Sequence, residues 1–130
     1  MCLGAGYTQN GAVTVQAGGA LDIEGAQLAG PLSVSGATAV RACGASMTGP
    51  LAVSGTSGLV VISDDEGPAC AGNTITGPVS LTSSSGGVEF DHNTVNGPLT
   101  ITGTTGTVPP PDTGSLVDVG NNVTGPVHIS

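Results

Sequence analysis

Nine carboxylates share this 130-residue chain with one basic residue: Asp22, Glu24, Asp64, Asp65, Glu66, Glu89, Asp91, Asp112 and Asp118 against Arg41. Hard oxygen ligands suit Ca2+ when they are brought together. Asp22, Glu24, Asp64, Asp65, Glu66, Glu89 and Asp91 are therefore candidate metal ligands. The dense Asp-x-Asp pattern of a dedicated calcium loop is missing, and a solvated acidic face that keeps a protein soluble accounts for the same residues. Ca2+ is thus the one cofactor the acids suggest, and no other is expected.

A second chemistry is hydroxylic. Thr74, Thr76, Thr94, Thr100 and Thr102 sit in NTIT, NTVN and LTIT segments, where alternate residues share a side. They are candidate binding residues of flat hydroxyl ladders that suit a polysaccharide or ice. Ser and Thr are also the ordinary solvent-facing residues of a strand, which needs no ligand. For catalysis the sequence offers little. His92 stands beside Asn93 and His128 near the chain end, and no nucleophile–base pair is recognisable. No catalytic residue is assigned, and an enzyme is not expected.

A net charge of −8 with a single Arg excludes nucleic acid and anionic membrane surfaces as partners, because phosphate binding needs Lys and Arg. No apolar run approaches the length that spans a bilayer. The opening MCLGAGYTQN lacks the basic start and apolar core of a signal peptide. The Thr/Ser/Gly richness and the absence of Lys suggest an extracellular or cell-surface protein, a virion fibre included.

The elements that position these groups are set by a recurring Gly-Pro. It appears at Gly30-Pro31, Gly49-Pro50, Gly77-Pro78, Gly97-Pro98 and Gly125-Pro126, and the following segments read PLSVSG, PLAVSG, PVSLTS, PLTITG and PVHIS. A recurrence near every 20 residues marks a solenoid. Helical periodicity is absent, and Tyr7 and Phe90 are the only aromatic residues, so the core is built from small aliphatics. The expected fold is all-β, a parallel β-helix of roughly five to six turns with three faces. Residues 1–10 are expected to be a cap or a loose segment holding Cys2. Residues 11–130 form the solenoid, with turns starting near 11, 31, 50, 78, 98 and 126.

Period-2 alternation assigns the faces. The first buries Val13/Val15, Leu32/Val34, Leu51/Val53, Val79/Leu81, Leu99/Ile101 and Val127/Ile129. The second buries Leu21/Ile23, Val40/Ala42, Val88/Phe90 and Val117/Val119, and exposes Asp22, Glu24, Arg41, Glu89, Asp91 and Asp118. The third buries Leu28, Met47, Ile75, Val95 and Val123. Arg41 is expected to pair with Asp22 or with the 64–66 loop. Asn73, Asn93 and Asn121 occupy the corner between second and third faces. The extra residues of the two 28-residue intervals are placed at the corner between first and second faces, as 61–68 and 108–115.

The Asn corner resembles the Asn ladder of right-handed β-helices of the pectate-lyase type. The N-T-V/I-x-G-P-V/L pattern resembles the short-rung repeats of secreted actinobacterial solenoid proteins, and bactofilins share the architecture only. A lyase would be expected to bind Ca2+ through carboxylates beside a basic residue, here Arg41. The chain departs from that pattern in lacking Lys and an aromatic sugar platform.

Three cysteines leave an odd one. Cys43 and Cys70 fall in adjacent turns, with Cys70 opposite Ala42 and pointing in and Cys43 one residue further. A disulfide and two half-buried thiols both remain open. The function expected is a non-enzymatic structural or adhesive solenoid. It self-associates through its end turns or belongs to a larger surface, fibre or phage-tail assembly. The contrasting expectation is a module that binds polysaccharide, Ca2+ or ice.

Overall fold

Each turn of the chain is a triangle of three short strands, because Gly and other residues able to adopt left-handed backbone conformations recur every few positions and stop each strand early. The computed structural model describes residues 2–63, 70–108 and 114–130, the side chains of Asp118 and Val119 excepted. The first turn holds β1 (Cys2–Leu3), β2 (Thr8–Asn10) and β3 (Val13–Val15), and the second β4 (Ala20–Glu24), β5 (Gln27–Ala29) and β6 (Leu32–Ser35). The third holds β7 (Ala39–Cys43), β8 (Ser46–Thr48) and β9 (Leu51–Ser54), and the fourth β10 (Val60–Ile62), β11 (Thr74–Thr76) and β12 (Val79–Thr82). The fifth holds β13 (Val88–Asp91), β14 (Thr94–Asn96) and β15 (Leu99–Thr102), and the sixth β16 (Leu116–Val119), β17 (Asn122–Val123) and β18 (Val127–Ile129).

The first strands of the turns stack as sheet A, the second as sheet B and the third as sheet C, each with six strands. All the pairings are parallel. The protein is a single-stranded parallel β-helix with three faces. Sheets C, A and B are the first, second and third faces of the sequence. Residues 2–10 are not a loose segment. Cys2 and Leu3 pair with Asp22 and Ile23, and Thr8–Asn10 pair with Gln27–Ala29.

The core is a column of aliphatics, with Phe90 the largest fully buried side chain. Two corrections concern sheet A. The fourth turn contributes Val60 and Ile62 to the core, in register with Val40 and Ala42. In the sixth turn Leu116, not the expected Val117, stacks on Val88 and packs against the core.

The insertions occupy two different corners, not one. In the fourth turn the chain leaves after Ile62 and returns at Ala71, whose carbonyl accepts from the Gly44 N–H at 2.8 Å. That is the A-to-B corner. In the sixth turn the extra residues lie between Thr102 and Leu116, at the C-to-A corner.

At the A-to-B corner Asn73 and Asn93 are buried, Asn121 is half-buried, and the three form a continuous ladder. Asn73 Nδ2 and Asn73 N both donate to Asn93 Oδ1, at 2.9 and 3.1 Å. Asn93 Nδ2 donates to Asn121 Oδ1 (3.2 Å) and to Ile62 O (2.7 Å), and Asn93 N donates to Asn121 Oδ1 (2.8 Å). Ala45 N donates to Asn73 Oδ1 (2.8 Å), so the ladder begins where the earlier turns place Ala26 and Ala45. Truncating Asn93 to Ala leaves the buried Asn73 N–H without its side-chain acceptor and removes the amide bond to the Ile62 carbonyl, at about 1–3 kcal/mol each. Asn93→Ala is expected to lower the unfolding free energy by roughly 2–4 kcal/mol in urea melts followed by far-UV circular dichroism. A loss under ~1 kcal/mol would show that the ladder is not what holds this corner.

Candidate functional site

Sheet A sorts its acids by register. One outward column runs Cys2, Asp22, Arg41, Val61, Glu89, Val117. Glu24 and Cys43 stand in the next column. Asp22 and Glu89 are therefore three turns apart, about 14 Å at ~4.8 Å per strand, too far to share one ion. Among the described residues no three His, Cys, Asp or Glu side chains converge on a point. Asp64, Asp65, Glu66 and Asp112 lie outside the described residues, as does the Asp118 side chain.

Nor is the acidic face uniformly exposed. Glu24 is exposed and Asp22 half-buried, but Glu89 and Asp91, expected on the surface, are 3% and 0% exposed. Both are engaged by neighbouring groups. Arg41 is in register with Asp22, yet its Nε pairs with Glu24 Oε1 at 3.2 Å. Both side chains of that pair are about half exposed, so it contributes little to stability. Asp22 Oδ1 is left without a protein partner.

The middle of sheet A is covered by an apolar clip. Cys43 and Cys70 form a disulfide, with Cα atoms 4.6 Å apart and a sequence separation of 27. Both sulfurs lie outside the sheet, with Val61 and Leu59, in a small cluster separate from the core. The inward place opposite Ala42, expected for Cys70, belongs to Ile62. The Ser63 hydroxyl donates to the Cys70 carbonyl at 3.2 Å and holds the returning segment against the sheet. Cys2 is an exposed free thiol.

Sheet B is different in kind. Thr74 and Thr76 stack on Ser46 and Thr48 on one side, and on Thr94 and Asn96 on the other. The array continues to Gln27/Ala29 and Thr8/Asn10, and to Asn122 beyond Thr94. Every one of these side chains is exposed, and none is charged. On sheet C, Thr100 and Thr102 stack on Ser80 and Thr82, and these four are half-buried. The hydroxyl positions expected from the sequence thus fall into two real ladders, of which only that of sheet B is fully open.

The ends of the solenoid carry its exposed apolar groups. Val127 and Ile129 continue the columns of Leu99 and Ile101 but are 53% and 41% exposed. With Leu99 and Val123, Val127 lines a depression of about 310 Å3 at that end. At the opposite end Leu3, Tyr7, Gln9 and Val13 line one of about 390 Å3. Alternation puts Val127 and Ile129 on the core face, but no period-2 pattern marks Tyr7 as their counterpart.

Comparison with known proteins adds no relative: no family model, no curated protein and no solved structure matches the chain.

Proposed function

We propose that this protein is a non-enzymatic structural solenoid of an outer surface or fibre whose end turns pair with a further turn of matching strands, from a second copy of this chain stacked end to end or from a longer solenoid. One observation carries the reading. The large apolar side chains exposed among the described residues are Tyr7, Val127 and Ile129, and all three lie on the outermost turns. The side faces expose small polar groups or acids, and a net charge of −8 opposes lateral packing. The outermost strands also present unpaired backbone donors and acceptors, which a matching strand satisfies. Because every strand pairing is parallel, only head-to-tail stacking extends the three sheets. Such a contact is heterologous and does not close, so it gives filaments. The Cys43–Cys70 bridge supports an oxidising, extracellular location.

Sedimentation analysis tests this. The weight-average mass of the wild type should rise with concentration, while Val127→Glu with Ile129→Glu should stay monomeric and folded. A wild type that remains monomeric up to ~1 mM, well above the micromolar dissociation constants of ordinary specific contacts, would sink stacking of copies.

A second reading is favoured by the open, uncharged register of sheet B. Its ladder suits a flat, ordered ligand, either a polysaccharide or ice. Altered ice-crystal growth or carbohydrate retention, lost in Thr74→Lys with Thr94→Lys, supports that reading, and identical behaviour of variant and wild type removes it.

A further inference from the structure

The C-to-A corner holds a column of buried hydroxyls that the fold does not satisfy. Ala37, Thr56, Ser84 and Thr104 follow one another there, each just after the left-handed residue that ends sheet C: Gly36, Gly55, Ser83 and Gly103. Their stacking is fixed by the backbone. Ser57 N donates to Ala37 O, Ser85 N to Thr56 O and Thr105 N to Ser84 O, at 3.0, 2.9 and 2.8 Å. Ala37, Thr56 and Ser84 are fully buried. The hydroxyl oxygens of Thr56, Ser84 and Thr104 are buried and have no protein partner. The adjacent outer column behaves otherwise: the hydroxyls of Thr38, Ser57 and Ser85 each donate to a carbonyl of the preceding turn. The missing bonds therefore belong to the inner column and not to the corner as a whole.

Three stacked hydroxyls without partners carry a large desolvation cost unless something else bonds them. Direct bonds between them are ruled out by spacing, since successive turns lie ~4.8 Å apart and a hydroxyl pair needs about 2.8 Å. The same spacing suits one bridging water, which reaches two oxygens 4.8 Å apart at ordinary lengths and a near-tetrahedral angle. We propose that this corner binds a file of internal water molecules, one between each pair of neighbouring turns from Thr56 to Thr104. Ala37, whose methyl offers no polar atom, closes one end. A hydroxyl both donates and accepts, so the column and its waters form a continuous chain. Buried water of this kind is part of a fold and is costly to remove.

A high-resolution crystal structure of the whole protein, together with thermal melts of Thr56→Val, Thr56→Ser and Ser84→Ala, tests the proposal. Ordered waters within hydrogen-bond distance of the Thr56 and Ser84 hydroxyls are expected. Thr56→Val, which keeps the shape and removes the oxygen, should lower Tm by roughly 3–6 °C, and Thr56→Ser should leave it nearly unchanged. The sign is decisive. In a dry corner Thr56→Val deletes an unsatisfied buried hydroxyl and raises Tm. Either that rise or a corner free of ordered water overturns the proposal.

Discussion

Gly77→Ala is expected to cost ~3 kcal/mol or more, enough to unfold a marginal domain, through a single methyl group. Gly77 has φ of +138°, a region that a residue with a side chain rarely adopts, and a Cβ there would lie 2.8 Å from the backbone carbon and oxygen of Gly49. The obstruction is backbone, so no side chain can swing away. It is also repeated: the same substitution at Gly49 meets Gly30 at 2.8 Å, and at Gly97 it meets the Gly77 oxygen at 2.7 Å. The glycines of the Gly-Pro corners thus form a stacked column in which each turn approaches the one before closely. Gly4 provides the control, since a Cβ there has nothing within 4 Å. In urea melts Gly4→Ala should lie within ~0.5 kcal/mol of wild type. A Gly77→Ala protein as stable as the Gly4→Ala protein would refute the close-approach account.

Opening the Cys43–Cys70 bridge is expected to cost about 3.5 kcal/mol, the loop-closure entropy of a cross-link spanning 27 residues. The bridge also holds the returning segment, with Val61 and Leu59, over the middle of sheet A. Reductant should therefore lower the urea midpoint of the wild type and leave that of Cys43→Ala with Cys70→Ala unchanged. Thiol titration of the unfolded, unreduced chain should detect Cys2 alone. A wild-type midpoint that does not respond to reductant would show that the bridge contributes nothing.

The sheet A insertion shows why part of this protein was hidden in its sequence. Val60-Val61-Ile62 does not alternate, because Val61 faces outward under the disulfide and is buried there. Alternation reveals a strand only where the outer side meets water, so in the sequence this strand merges with the insertion, and the spacing points to the C-to-A corner instead of the A-to-B corner. Glu89 and Asp91 failed in the same way. Their outward placement follows from alternation, but their burial does not, because alternation gives the side of the sheet and not its exposure. The ladders of Thr74, Thr76, Thr94, Thr100 and Thr102 are legible because these side chains stay exposed on sheet B and half-exposed on sheet C.

The sequence by itself determined the turn, the three faces and the columns. Each of these rests on local rules: two-residue alternation, glycine where backbone must approach backbone, and asparagine where a corner needs its own hydrogen bonds. The tertiary structure alone decided which acids meet water, how Cys43 reaches Cys70, and that Thr56, Ser84 and Thr104 share an inner seam. Those outcomes depend on what lies over or beside a strand from another turn, and no local pattern encodes that neighbour.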